Sequence, residues 1–168
     1  ALERATRLEP DEITRLDMQD VVHAKDLRRR MRTPTPPSSK KPLYECGAGQ
    51  DTFYVSSRGH LRLCAASLQH AHDLRAGPDF TTTFSHAWGS FGKTRELKRA
   101  PNSPCHDCDI AALCENCPAY AFLETGDANQ AVRWLCEVTH AKAKALGIAH
   151  QCDAHHFVAQ IATPPNSR

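Results

Sequence analysis

Cys105-His-Asp-Cys108-Asp-Ile-Ala-Ala-Leu-Cys114-Glu-Asn-Cys117-Pro118 gathers four thiols into one short loop. Four cysteines that close together cannot all be ordinary core residues, and their spacing separates the metal sites that could use them. Structural zinc sites built from two Cys-x-x-Cys pairs usually place a dozen or more residues between the pairs. Here only Asp109 to Leu113 intervene. One tetrahedral zinc on all four thiols is sterically feasible, but it strands Cys46, Cys64 and Cys136. Iron–sulfur proteins use dense runs ending in Cys-Pro, in which the last cysteine serves a different cluster from its neighbours. Cys117-Pro118 has that ending, although the run as a whole is not a ferredoxin run. By the same logic three of these cysteines wrap one cluster and the fourth reaches a second, each recruiting cysteines distant in sequence.

The rest of the composition is consistent with a fold held partly by such ligands. Of 168 residues, 40% are hydrophobic and 7% aromatic, so the apolar core is modest, and eight cysteines are available to reinforce it. Twenty-one basic residues against 19 acidic leave a net charge of +2, which gives no electrostatic case for a nucleic-acid partner. No apolar run of spanning length and no export signal is visible, so a cytoplasmic location without membrane attachment is expected. In that reducing compartment clustered cysteines bind metal more often than they form disulfides. The charged opening Ala1-Leu2-Glu3-Arg4-Ala5, without methionine, reads as the middle of a longer chain.

Along the chain, Pro10 followed by Asp11 and Glu12 starts a helical stretch over 9–32. Asp20 caps its second half, and the Arg28–Arg32 run is a solvated helix end. Residues 33–43, rich in proline, serine and lysine, are a linker and the expected domain boundary. Thr52–Val55 and His60–Cys64 are β-prone and joined by a turn containing Gly59, a hairpin signal. Residues 80–100 have helical character punctuated by Gly89 and Gly92. Two further helices are expected, 118–125 closed by Gly126 and 129–146 closed by Gly147. A frayed tail follows over 148–168. The predicted fold class is α+β: a small hairpin and helices organised around two iron–sulfur clusters, preceded by a helical segment. Histidines 60, 70, 72, 86 and 106 could each replace a thiolate, but single histidines in polar loops are more often solvated or hydrogen-bonded. His150, His155 and His156 could bind adventitious metal, and Trp88 and Trp134 read as core residues.

Taken in order, Cys46-Gly-Ala-Gly49, Gly59-x4-Cys64, the Cys105–Pro118 run and Cys136 resemble the SPASM domain. This is the C-terminal auxiliary-cluster domain of radical S-adenosylmethionine enzymes, many of which modify peptides. The resemblance covers residues 44–147, and residues 1–32 are similar to the helical connection preceding such a domain. It implies two 4Fe-4S clusters, one on Cys105, Cys108, Cys114 and Cys136, the other on Cys46, Cys64 and Cys117. Fully ligated members of the family carry another cysteine shortly before the position of Cys46, where this chain has Ser-Ser-Lys-Lys-Pro-Leu-Tyr-Glu. Two residues also separate Cys114 from Cys117 where three are usual. The Cys46/Cys64/Cys117 cluster is therefore expected to have an open iron, for a substrate thiolate or solvent, unless Cys152 completes it.

The radical chemistry of that family belongs to a barrel domain with a Cys-x3-Cys-x2-Cys motif, and no such spacing occurs here. S-adenosylmethionine would act only through that missing barrel, and this chain alone is expected to be inactive. Two functions are consistent with the residues. One is an electron relay or substrate-docking domain of a radical enzyme acting on a peptide or protein, served by a flavodoxin or ferredoxin reductant. The other is a stand-alone peptide-binding module stabilised by zinc or a cluster, with no redox role.

Overall fold

The structure is a computed structural model that describes residues 6–33 and 42–151. The described residues contain five α-helices, one 3-10 turn and a three-stranded antiparallel sheet, so the fold is α+β. They divide into two compact units. Among the described residues no helix is long and apolar enough to cross a membrane.

The first unit contains 6–33, 107–116 and 131–151. Helix α1 (Pro10–Gln19) begins with proline at its first turn and acidic Asp11 and Glu12 beside the positive end of its dipole. It stops at Asp20, whose carboxylate accepts from Val22 N at 2.9 Å and His23 N at 3.0 Å and so starts α2 (Val21–Arg32). One aspartate thus ends one helix and caps the next. Asp20→Ala should destabilise this unit by about 1 kcal/mol, visible as a lower denaturant midpoint, whereas Asp20→Asn should retain most of the cap. Within the arginine run, Arg29 and Arg30 pair with Asp26 one turn back, as expected of a solvated helix end.

The last helix, α5 (Arg133–Ala145), packs along α1. Leu27, Ile110, Leu113 and Ala143 form the core, with Met18, Met31, Cys108, Leu146 and Ile148 against it. The first two helices therefore do not stand apart from residues 44–147, as the proline-rich stretch suggests. Their apolar faces are covered by α5 and by the 3-10 turn Ala111–Leu113 inside the cysteine run. Of the expected linker, residues 34–41 lie outside the described residues. Nor does the unit end at Gly147 (φ +69°): Ile148 N donates to Ala143 O, His150 bonds His140 at 2.8 Å, and Gln151 N donates to Asp109 Oδ2 at 2.6 Å. The remainder of the expected tail, 152–168, is outside the described residues.

The second unit contains 42–106 and 117–130. Strands β1 (Tyr54–Val55) and β2 (His60–Arg62) form the expected hairpin, with Gly59 at φ +75° in the turn. A third strand, β3 (Ala71–Asp73), pairs with the other edge of β2. Helix α3 (Phe80–Arg95), capped by Asp79, runs uninterrupted through Gly89 and Gly92. It presents Ala87 and Phe91 to a core of Leu43, Tyr44, Leu61, Leu63 and Leu74. Helix α4 (Pro118–Thr125) ends at Gly126 in the left-handed conformation, φ +81°. Trp88 packs at the margin of this core. Trp134, in the first unit, instead donates its indole N–H to Leu8 O at 3.2 Å and receives Arg7 over its ring.

Candidate metal centres

The seven described cysteines are all thiols, and they fall into two sets. Cys46, Cys64 and Cys117 belong to the second unit, Cys108, Cys114 and Cys136 to the first. Cys105 belongs to the second unit, three residues ahead of Cys108 along the chain. Cys152 lies outside the described residues.

Each member of the second unit's set is positioned by its local backbone. Cys46 opens a tight loop in which Gly47 O accepts from Gln50 N, Asp51 N and Thr52 N at 2.8–3.2 Å. Arg95, at the end of α3, fastens that loop: its guanidinium donates to Cys46 O, to Ala48 O at 3.3 Å and to Gln50 Oε1 at 3.0 Å. Cys64 lies just beyond β2, in a turn closed by Ser67 N donating to Cys64 O at 3.2 Å. Cys117 is the N-cap of α4. The following proline holds it in the extended region (φ −110°, ψ 153°), and its sulfur accepts from Tyr120 N at 3.3 Å. Cys64 and Cys117 pack against the same core.

Cys117 lies within electrostatic reach of both other sulfurs. Burial pushes the Cys117 thiol up, the Tyr120 and Ala119 N–H groups oppose this, and charge on Cys64 and Cys46 pushes it further up. Tyr44 is buried beside them, and its phenol rises to about 12. Burial is the main cause, and negative charge on Cys64 and Cys117 adds to it. Gln69 Nε2 donates to Tyr44 Oη at 3.0 Å. Three thiolates here would repel one another, and a positively charged group bound among them would relieve that repulsion.

In the first unit, Cys108 packs against the apolar core, and Cys114 ends the 3-10 turn with Asn116 N donating to its sulfur at 3.4 Å. Cys136 sits on the first turn of α5, its N–H bonded to Val132 O. Lys142 is almost completely buried, with Nζ 2.9 Å from Asp17 Oδ2 and 3.7 Å from Glu115 Oε1, and so ties α1 and α5 to the residue after Cys114. The approach to Cys105 is held by Asn129, which accepts from Ala100 N at 2.8 Å and, through its carbonyl, from Ser103 Oγ at 2.6 Å. Ser103 Oγ in turn accepts from Cys105 N.

Among the described residues, no three of His, Cys, Asp and Glu stand close enough to hold a single metal ion. Some of the histidines weighed as replacement ligands have neighbours of their own, whereas His60 Nδ1 is buried with no hydrogen-bond partner among the described residues. His72 bonds Ser90 Oγ at 2.9 Å, His70 lies edge-on to Tyr44, and His106 N closes a turn onto Ser103 O. His155 and His156 lie outside the described residues. Tyr44, Ser67, Gln69, Arg95, Asn129 and Lys142 escape sequence reading because nothing local marks them. Comparison with protein-family models, curated proteins and solved structures gave no match.

Proposed function

We propose that this chain is an auxiliary iron–sulfur domain that relays electrons or docks substrate for a peptide- or protein-modifying radical S-adenosylmethionine enzyme. Cys46, Cys64 and Cys117 would hold one 4Fe-4S cluster. Cys108, Cys114 and Cys136, with Cys105 preceding them in the run, would hold the other. The observation that carries this reading is the meeting of Cys64 and Cys117, far apart in sequence, at one core, with the exposed Cys46 near enough for its charge to act on Cys117. The donor set also suits a multi-iron group better than one ion. Zinc at about 2.3 Å from each of four sulfurs requires thiols packed together, whereas a cubane offers a separate iron to each. When bound, such clusters supply one-electron transfer at potentials set by burial and by hydrogen bonds to sulfur.

The chain's own residues serve those ends. Tyr120 N and Asn116 N donate to Cys117 and Cys114, stabilising negative charge on sulfur. Arg95 fixes the Cys46 loop and adds a positive charge beside it. The barrel domain, a flavodoxin or ferredoxin reductant and a cytoplasmic setting belong to the same proposal, with S-adenosylmethionine bound by the barrel.

Anaerobic reconstitution tests it. The protein should turn brown and hold about eight iron and eight sulfide per chain. A colourless product with stoichiometric zinc would instead support the second reading, a peptide-binding module without redox role. One observation favours that reading: Phe80, Phe84 and Trp88 stack in a ladder along α3, beside Phe53, and Phe80 and Phe53 are more than half exposed.

A further inference from the structure

Ser67 is wholly buried, yet among the described residues its hydroxyl oxygen has no hydrogen-bond partner. Burying a hydroxyl without a well-formed hydrogen bond costs stability, and the Tyr44 phenol beside it leaves room for a further partner on this oxygen. Gln69 Oε1 is in the same condition, while the amide nitrogen of the same side chain donates to Tyr44 Oη. The Ser67 hydroxyl faces that phenol without reaching hydrogen-bond geometry, and the phenol lies within electrostatic reach of the Cys64 and Cys117 sulfurs. Two buried oxygens without a well-formed hydrogen bond thus border Tyr44, beside Cys64 and Cys117.

The backbone gives the reason Ser67 stands there. Its N–H donates to Cys64 O, closing the turn Cys64-Ala-Ala-Ser67. A two-residue spacer within one turn is the arrangement by which Cys-x-x-Cys pairs bring two side chains to a common metal group. In this turn the second position carries an oxygen instead of a sulfur.

We propose, resting on the cluster reading above, that Ser67 Oγ is the fourth ligand of the iron–sulfur cluster held by Cys46, Cys64 and Cys117. Ligation breaks the Ser67 O–H bond, releases the proton to solvent and forms an iron–oxygen bond, with no change in iron oxidation state. Tyr44, which accepts from Gln69, keeps its own hydroxyl proton to donate toward the ligated oxygen. The iron that three cysteines leave unclaimed is then closed within the second unit, without Cys152.

The full chain, reconstituted anaerobically with iron and sulfide, provides the test as wild type, Ser67→Ala, Ser67→Cys and Cys152→Ala. Circular dichroism before loading establishes which variants fold, and the nearly isosteric Ser67→Cys carries the comparison if Ser67→Ala does not. Wild type and Ser67→Cys should keep their iron through mild ferricyanide oxidation. Ser67→Ala should lose about one iron per chain and develop the electron paramagnetic resonance signal of a three-iron cluster. Mössbauer spectra should contain one oxygen-ligated iron in the wild type and none in Ser67→Cys. Ser67→Ala matching wild type in iron retention, or Ser67→Cys matching it in the Mössbauer spectrum, overturns the assignment while the cluster reading stands. Loss of the same iron in Cys152→Ala, with Ser67→Ala unaffected, also overturns it. Wild type that takes up no iron fails the cluster reading itself, before any variant is compared.

Discussion

Truncating Lys142 to alanine should lower the unfolding free energy of the first unit by about 3 kcal/mol, the lower end expected when one partner of a buried ion pair is removed. The ammonium is almost wholly buried between Asp17 and Glu115. Glu115 is more than half exposed and loses little when its partner goes. Asp17 is three-quarters buried, and its remaining cationic neighbour, His23, stands 3.8 Å away and is charged only when protonated. The loss should therefore arise mainly from the stranded Asp17 carboxylate, together with the cavity left by the aliphatic stem. A double-mutant cycle distinguishes the two contributions. Lys142→Met fills the cavity and leaves the charge, and adding Asp17→Asn should then recover most of the loss in chemical denaturation. Equal stability of Lys142→Met with and without Asp17→Asn would show that the carboxylate does not depend on the lysine. Because Glu115 follows Cys114 directly, Lys142→Ala should also make iron uptake at the first unit's cysteines less complete.

Lys142 also marks the limit of what the chain reveals before it folds. On α5 it looks like a solvated cation near a helix end, and nothing local points to carboxylates at 17 and 115. The features that were legible are those set by local chemistry. Asp20 as a cap, Pro10 and Pro118 in first helical turns, and Gly59, Gly126 and Gly147 at positive φ each follow from the preferences of one residue. Strand β3 is different. Ala71-His72-Asp73 has no strand propensity and is extended because β2 offers it a free edge. Gly89 and Gly92 punctuate a stretch of helical character. The Phe84–Trp88–Phe91 stripe supplies enough packing to carry α3 through both, and neither glycine has a neighbour that a β-carbon would meet. In the candidate site the cysteines announce themselves by spacing. Tyr44, Ser67 and Gln69 do not, because a buried oxygen without a partner is recognisable only once its surroundings are known.

Gly49→Ala should be at least as damaging, lowering stability of the second unit by about 3–5 kcal/mol from left-handed strain and overpacking combined. Gly49 has φ +72°, which by itself penalises any side chain. A β-carbon there would overlap Leu63 Cδ2 and stand 3.3 Å from Phe91 Cβ. Leu63 and Phe91 are both fully buried, so neither can move aside without disturbing the core. Gly126→Ala isolates the strain alone. Its φ is +81° and nothing lies within 4 Å of the added carbon, so about 1–2 kcal/mol is expected. The difference between the two variants measures the steric conflict at Leu63, and Leu63→Ala in the Gly49→Ala background should recover part of it despite its own cavity cost. Equal losses for the two glycine variants would mean that the core yields freely at this point. The consequence for function follows from sequence proximity: Gly49 N donates to Thr52 O within the loop that begins at Cys46 and that Arg95 fastens. Displacing Gly49 from Leu63 must move that loop. Gly49→Ala should therefore take up less iron than Gly126→Ala when both are reconstituted under conditions where circular dichroism shows them folded.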